Sequence, residues 1–340
     1  MLQAMKASVP AQHWVRRILL GIFWLILFAA IAGVLYENIS EARDRRFNPM
    51  PGKLVDVGGR KMHINCTGQG IPTVILDSGL GDSYVSWHKV QPEIAKFTRV
   101  CSYDRAGVGY SDPSNEPRTS QVIAEQLHAL LQAAQIPPPF VLVGHSMGGY
   151  DVRLYASLYP NDVAGMVLVD ASHPDQENRL PAELKSMEGS WMREAEFLAY
   201  STPFGVPRLL GFCDDNPSGR AADCNFHTAR EGVEELKAFS ASAKQVAGTG
   251  ALGDMPLAVL SHDPDKPSSD FSPDLNQSMN RVWDQMQGEL AHLSTRGTRA
   301  IAKNSGHYIQ SDRPDMVIDA VRNVTEQARQ SHAASTPGQH

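Results

Sequence analysis

The residues with the clearest chemical content are Gly144-His145-Ser146-Met147-Gly148-Gly149, which follow the apolar run Phe140-Val141-Leu142-Val143 directly. A serine with glycine two positions to either side, set between a buried strand and a helix, occupies a turn too tight for flanking side chains. Tyr150, Val152, Leu154 and Tyr155 supply the helical pattern downstream, so that setting is present. The turn exposes the serine Oγ and places it beside a helix N-terminus, whose unpaired N–H groups favour negative charge. Attack on a carbonyl needs both: an exposed hydroxyl, and donors where the oxyanion develops. A glycine-rich turn without chemistry is the plain alternative, and the strand–turn–helix setting argues against it.

Other chemistries have less to stand on. The chain has no Gly-x4-Gly-Lys-Ser/Thr loop, and Gly107-Val108-Gly109 lacks both a third glycine and a following helix. Neither His-x-x-x-His nor Cys-x-x-Cys spacing occurs, so no metal and no cofactor is predicted. A serine nucleophile also disfavours haloalkane dehalogenation, in which a carboxylate attacks carbon. The formal net charge of −6 excludes a general nucleic-acid binder, which needs excess Lys and Arg against phosphate.

The elements that must hold Ser146 read as an α/β alternation. Lys53–Val57 and Lys61–Cys66 flank Gly58-Gly59 as a hairpin. The run Thr73–Asp77 opens into Ser78-Gly79-Leu80-Gly81, and Arg99–Tyr103 runs into Asp104-Arg105-Ala106-Gly107. Thr119 or Ser120 is placed to cap a helix with apolar positions Ile123, Leu127, Leu130, Leu131 and Ala134, ended by Pro137-Pro138-Pro139. Gly165–Val169 and Leu257–Leu260 are further strands. Buried strands alternating with helices predict a mostly parallel sheet covered on both faces. The alternation stops across 174–254, a helical, aromatic-rich stretch with Trp191, Phe197, Tyr200, Phe204 and Phe212, read as a cap over the strand ends.

Residues 53–325 resemble the α/β-hydrolase superfamily, in its compact capped branch of bacterial serine hydrolases and esterases. The resemblance rests on Pro72–Gly81, Trp87, the segment Tyr103-Asp104-Arg105-Ala106-Gly107-Val108-Gly109-Tyr110-Ser111, and Gly144–Gly149. It implies about eight strands, mostly parallel, with helices on both faces and a triad in chain order Ser, Asp or Glu, His. His307, after Gly306 and before Asp312-Arg313-Pro314, matches the closing Gly-His loop and takes the role of general base. The family's usual acid, about five residues beyond the strand at 257–260, selects Asp265. Asp263 competes with it, and Asp170, at the end of the strand at 165–169, stands where some members carry the acid. The oxyanion donors are the backbone N–H groups of Leu80 and Met147; Ser78-Gly79 replaces the family's familiar His-Gly.

The implied activity is cleavage of a small, apolar carboxylic ester through an acyl-enzyme. An amidase or aminopeptidase of the proline iminopeptidase-like type shares the chemistry, and a non-catalytic binding module on the same fold is the alternative from another class.

With 340 residues, a mean hydropathy of −0.28 and 42% hydrophobic residues, the average is that of a soluble enzyme. The N-terminus departs from it. Ile18 to Tyr36 is uncharged, and nineteen residues in a helix just span the roughly 30 Å hydrocarbon core. It reads as a transmembrane signal anchor, or as a signal peptide cut after Ala30-Ile31-Ala32. Basic residues tie across the span, but Arg16-Arg17 abut the membrane whereas Glu37 and Glu41 open the far side, which places the N-terminus inside. The catalytic domain is thereby expected on the periplasmic or extracellular side, or secreted if the segment is cut. Beyond residue 50 there are 25 basic and 34 acidic residues, net −9, so membrane attachment is expected through the helix rather than a basic patch. Export would allow Cys66–Cys101 and Cys213–Cys224 to form disulfides. The expected division is an N-terminal tail 1–17, the span 18–36, a polar linker 37–50, core 51–173, cap 174–254, core 255–328 and a disordered tail 329–340.

Overall fold

In the computed structural model, which describes residues 11–335 apart from 214, 215, 267, 269 and 270, eight strands form one sheet. They are β1 (Lys53–Val57), β2 (Arg60–Thr67), β3 (Thr73–Asp77), β4 (Val100–Tyr103), β5 (Phe140–His145), β6 (Val163–Val169), β7 (Leu257–His262) and β8 (Gly297–Ala302). The spatial order is β1-β2-β4-β3-β5-β6-β7-β8. The β1–β2 and β2–β4 pairs are antiparallel, and every other pairing is parallel.

The helices are α1 (Ala11–Phe47), α2 (Gln91–Ile94), α3 (Ser120–Ala133), α4 (Gly148–Leu158), α5 (Gln176–Arg179), α6 (Ala182–Ser201), α7 (Val206–Leu209), α8 (Pro217–Asp223), α9 (Phe226–Ala247), α10 (Pro273–Ala291), α11 (Ile309–Asp312) and α12 (Pro314–Ser335). Successive strand residues point to opposite faces, so a strand buried on both sides is apolar throughout. Ile75, Leu142, Met166 and Leu168 pack against Ile123 and Leu127 of α3, Tyr155 of α4 and Leu290 of α10. Their neighbours Val74, Leu76, Val141, Val143, Val167 and Val169 pack against Trp87, Ile94 of α2, and Val317 and Val321 of α12. Each fully buried aliphatic side chain contributes roughly 1.5–3 kcal/mol, so these two layers carry the stability of the sheet.

The parallel register sets up the site. Asp77, Gly144, Leu168 and Val259 lie in one row across β3, β5, β6 and β7. The loops that follow these strands therefore leave the sheet at one edge, the carboxyl end where open α/β sheets bind ligands.

Two of the expected boundaries change. The segment 37–50 is not a polar linker: α1 continues without a break to Phe47. Its charges have partners that lie far away in sequence. Arg208 donates to Glu37 at 3.1 and 3.2 Å and to Asp44 at 2.6 Å, and Glu37 is buried. Gly33, one turn before Glu37, meets the Phe204 carbonyl so closely that a Cβ there would lie 2.5 Å from the oxygen. At the other end α12 runs to Ser335, where a disordered tail from 329 was expected. Arg329 donates to the carbonyls of Ile71 and Phe97 and ties that helix to the core. Residues 1–10 of the expected N-terminal tail and 336–340 of the C-terminal one lie outside the described residues.

Helices α5 to α9 occupy the stretch read as the cap. The end of α9 belongs to the core, since Ala243 and Val246 pack with α3 and the sheet. Cys66 pairs with Cys101 across β2 and β4, with Cα atoms 4.0 Å apart, and Cys213 pairs with Cys224 in the cap at 5.4 Å.

Candidate active site

Ser146 is the first residue beyond β5, and its φ of +50° is the left-handed conformation that L-residues seldom adopt. Such strain persists only where the surroundings hold it. Here Ser146 N–H donates to Val169 O at 3.2 Å, and its carbonyl accepts from Gly149 N at 3.0 Å and Ser172 N at 3.0 Å. The glycines are required by close approach. A Cβ on Gly144 would lie 2.5 Å from Gly148 O, and one on Gly148 would lie 2.6 Å from Ser78 O. The result is a half-buried serine at the start of α4, where the Gly149 and Tyr150 N–H groups are bonded to the turn's own carbonyls and the Met147 N–H has no hydrogen-bond partner among the described residues.

The loop Ser78–Gly81, which carries Leu80, faces this turn and is clamped by one buried side chain. The five N–H groups of Arg105 make five bonds: to Asp77 Oδ1 (3.1 Å), Ser78 O (2.8 Å), Gly79 O (2.5 Å) and both carboxylate oxygens of Glu235 on α9 (2.7 and 2.9 Å). Glu235 in turn accepts from Gly81 N at 2.8 Å. Burial pushes the Glu235 carboxyl up, but Arg105 outweighs this and holds it below the usual range; in Asp77 burial wins and the carboxyl is pushed up to about 6. Leu80 thus lies between two fixed backbone groups, and Met147 follows the serine at the mouth of α4.

His307 sits in the loop between β8 and α11, and its carbonyl accepts from His145 Nε2 at 3.1 Å. Burial drives His145 down to about 3, so it stays neutral and serves as this donor. The Nδ1–H of His307 donates to Asp170 Oδ2 at 2.6 Å. Asp170, the first residue beyond β6, is fully buried and, like Ser146, has a positive φ, +44°.

Asp265, expected to orient His307, is a correction. Its side chain is 82% exposed and pairs with Lys303 at 2.9 Å. The cause is the turn after β7. Asp263 accepts from Asn304 N (2.9 Å), Asp265 N (3.1 Å) and Lys303 Nζ (3.0 Å), and these bonds hold it down at about 2. The turn is thereby fastened to the 303–305 strand end, with Asp265 on its solvent side. Asp263 is committed to the same turn, so of the three candidates the one that meets His307 is Asp170.

Sequence reasoning missed three residues around Asp170. His262, the last of β7, brings Nδ1 to within 3.0 and 2.9 Å of the two carboxylate oxygens, and its backbone N–H donates to Oδ1 at 3.0 Å. Trp283 on α10 donates its indole N–H to Oδ1 at 2.8 Å. Asn280 places Oδ1 3.2 Å from His262 Nε2, and its amide nitrogen is committed to Pro264 O at 2.8 Å, which fixes that orientation. Both ring nitrogens of His262 therefore face acceptors, and the imidazolium form satisfies both. Burial lowers the His262 pKa, but the bond to Asp170 and its charge, with help from Asn280 and Asp263, raise it overall. Burial likewise opposes ionisation of Asp170, yet the bonds from His262 and His307 and their charge hold it well below the usual carboxylate range. The available signal was register: Val169 pairs with Leu260, so the residues just beyond β6 and β7 meet.

Beside these groups lies a cavity of ≈550 Å³, walled by Leu180, Phe271, Met279 and Trp283 and reaching His262 and His307. An apolar pocket with convergent polar groups at one end is the form that small-molecule sites take.

Comparisons with known proteins agree with this architecture. A family model described as the alpha/beta hydrolase fold matches residues 72–221. The uncharacterized protein YqjL of Bacillus subtilis (strain 168) is 28% identical over 255 residues, 74% of this chain and 83% of that protein. Against three other curated relatives the match spans less than half of their length. Among solved structures, Cfl2 from Burkholderia cenocepacia has a TM-score of 0.55 at 24% identity, covering 80% of this chain and 95% of its own. A serine hydrolase involved in carbazole degradation, CarC, has a TM-score of 0.56 at 18% identity, covering 80% and 97%. With an eight-stranded, mostly parallel sheet, loops gathered at its carboxyl edge and a family model matching residues 72–221, the chain has the α/β-hydrolase fold.

Proposed function

We propose that the protein is a serine hydrolase that cleaves carboxylic esters, with Ser146, His307 and Asp170 as its triad. The observation that carries this reading is the 2.6 Å bond from His307 Nδ1–H to Asp170, at the sheet edge where Ser146 is held in a strained turn. With Nδ1 protonated, Nε2 is the free basic nitrogen. It removes the Ser146 proton as Oγ bonds to the ester carbonyl carbon. The oxyanion is held by the Met147 and Leu80 N–H groups, and the new imidazolium is stabilised by Asp170. Collapse breaks the ester C–O bond, and the leaving alkoxide takes the proton from His307. Water, deprotonated by His307 in turn, then cleaves the acyl-enzyme and restores Ser146. The apolar walls of the cavity beside His307 support an ester with an apolar group.

The test is turnover of chromogenic esters of increasing acyl length, and of aminoacyl amides, by wild type and Ser146→Ala. We expect ester turnover in the wild type, a fall of about 10⁶ in kcat in the variant, and fluorophosphonate labelling that disappears with Ser146. Unchanged turnover by Ser146→Ala sinks the mechanism, and neither turnover nor labelling in the wild type favours a binding module.

His262 gives a pH signature. Its bond and positive charge help to hold the Asp170 carboxylate ionised beside His307. Replacing it by Gln keeps a donor toward Asp170 and removes the charge. The pair also affects stability: because folding raises the His262 pKa, its contribution is complete below about pH 6.5 and lost as pH rises through the raised value. In urea unfolding His262→Gln should therefore lose more stability at pH 5.5 than at pH 9, and a loss equal at the two pH values refutes this role.

The helix α1 fits a retained membrane anchor. Among the described residues it is the helix long and apolar enough to cross a membrane, with a mean hydropathy of 2.8 over its most apolar window. The packing of Gly33 on Phe204 and the Arg208 pairs beyond it support retention over removal. Two disulfides support a domain on the periplasmic or extracellular side.

A further inference from the structure

Among the described residues outside α1, twelve large apolar side chains are exposed, and seven of them fall within 191–212. The other five, such as Leu54 and Ile301, are scattered singly, which is ordinary for a surface. The seven are concentrated at the end of α6 and around α7, where Phe197 is 61% exposed, Leu209 68% and Leu210 61%. An apolar patch of this kind marks an interaction site rather than a chance exposure.

Its position says with what. The same stretch is where the cap receives α1. Phe204 abuts Gly33, and Gly205 abuts Tyr36, so this part of the cap is level with the last turn of the uncharged segment 18–36. Gly33 lies three residues inside the end of that segment, about 5 Å along the helix axis. Groups level with it sit at the headgroup–acyl boundary, the depth at which interfacial apolar faces rest. Of the charges nearby, Arg193 and Glu194 are exposed one turn before Phe197, and Glu196 pairs with Lys237. Arg208, beside the exposed Leu209 of α7, is turned inward onto Glu37 and Asp44 and is itself largely buried. Tyr36 supplies an aromatic group at the same boundary, where such rings are enriched. The exposed face is thus continuous with a surface that already requires lipid.

We propose that the cap face formed by Phe197, Tyr200, Phe204, Leu209, Leu210 and Phe212 is immersed in the lipid bilayer beside the α1 span. This rests on the reading of α1 as a retained anchor and extends it: the membrane contacts the cap as well as the helix. An ester dissolved in the bilayer then meets the cap without crossing water.

The test uses the full chain reconstituted in phosphatidylcholine vesicles with and without nitroxide on the acyl chains. All four native cysteines are paired, so an environment-sensitive thiol probe reports single introduced cysteines. Leu210→Cys probes the cap face, Ile26→Cys the span, and Ala133→Cys the exposed end of α3, away from the carboxyl edge of the sheet. The expected result is severalfold quenching with a blue shift at Leu210→Cys and Ile26→Cys, and none at Ala133→Cys. Quenching at Ile26→Cys without quenching at Leu210→Cys overturns immersion of the cap and leaves the anchor standing. Absence of quenching at both overturns the anchor and the proposal together. Equal quenching at all three sites also overturns the proposal, because contact is then not confined to this face.

Discussion

Asp170→Asn should lower kcat for ester hydrolysis by about three to four orders of magnitude, whereas Asp265→Asn should leave it within about threefold. The contrast follows from what each carboxylate accepts. Asp170 accepts hydrogen bonds from His307, His262, the Trp283 indole and a backbone N–H, and holds two histidines by negative charge. An amide of the same shape offers one acceptor oxygen and presents donors to the rest. His307 then loses both the charge that stabilises its protonated form and the bond that selects its tautomer. Asp265 meets Lys303 in solvent, where an exposed ion pair contributes little. Steady-state rates for the two variants, with circular dichroism to confirm folding, decide the assignment. A large loss in Asp265→Asn with little in Asp170→Asn reverses it.

The second large effect is on stability. Arg105→Ala should cost about 3–5 kcal/mol in urea unfolding, because it leaves Asp77 buried without its counter-ion and Glu235 with only Arg118, 3.7 Å away. The loss should be smaller at pH 5 than at pH 8. Asp77 is already pushed up to about 6 with the guanidinium in place, so without it both carboxyls take protons more readily on acidification and shed the unpaired charge. Arg105→Lys should recover only part, since one ammonium cannot reach five acceptors spread over the β3 end, the 78–81 loop and α9. A pH-independent loss would mean that packing, not charge, is what Arg105 supplies.

Local signals were legible in the sequence and long-range ones were not. Thr73–Asp77 reads as a strand and is one; Phe140–His145 and the serine turn follow from apolar patterning and glycine spacing within a dozen residues. The acid does not. Asp170, Asp263 and Asp265 all follow strands, and the choice among them depends on how the turn after β7 fastens to the end of β8, forty residues away. The same reason hid His262, whose role exists only through the β6–β7 register. The stretch 37–47 looked like a solvated linker because its charges have no partner nearby in sequence; Arg208 lies 164 and 171 positions on.

The left-handed backbone at Ser146 and Asp170 bears on what this scaffold could be made to do. Left-handed backbone of this kind is adopted most readily by Asn and Asp among residues with a side chain and is a genuine outlier for β-branched ones, so at position 146 an unbranched thiol or carboxylate is the exchange expected to keep the turn. Threonine, which keeps the hydroxyl, does not, because its second Cβ substituent crowds the backbone in that conformation. For a protein engineer the conservative exchange at position 146 is therefore the disruptive one, and the chemically radical exchanges to Cys or Asp are the ones the chain is already bent to accept.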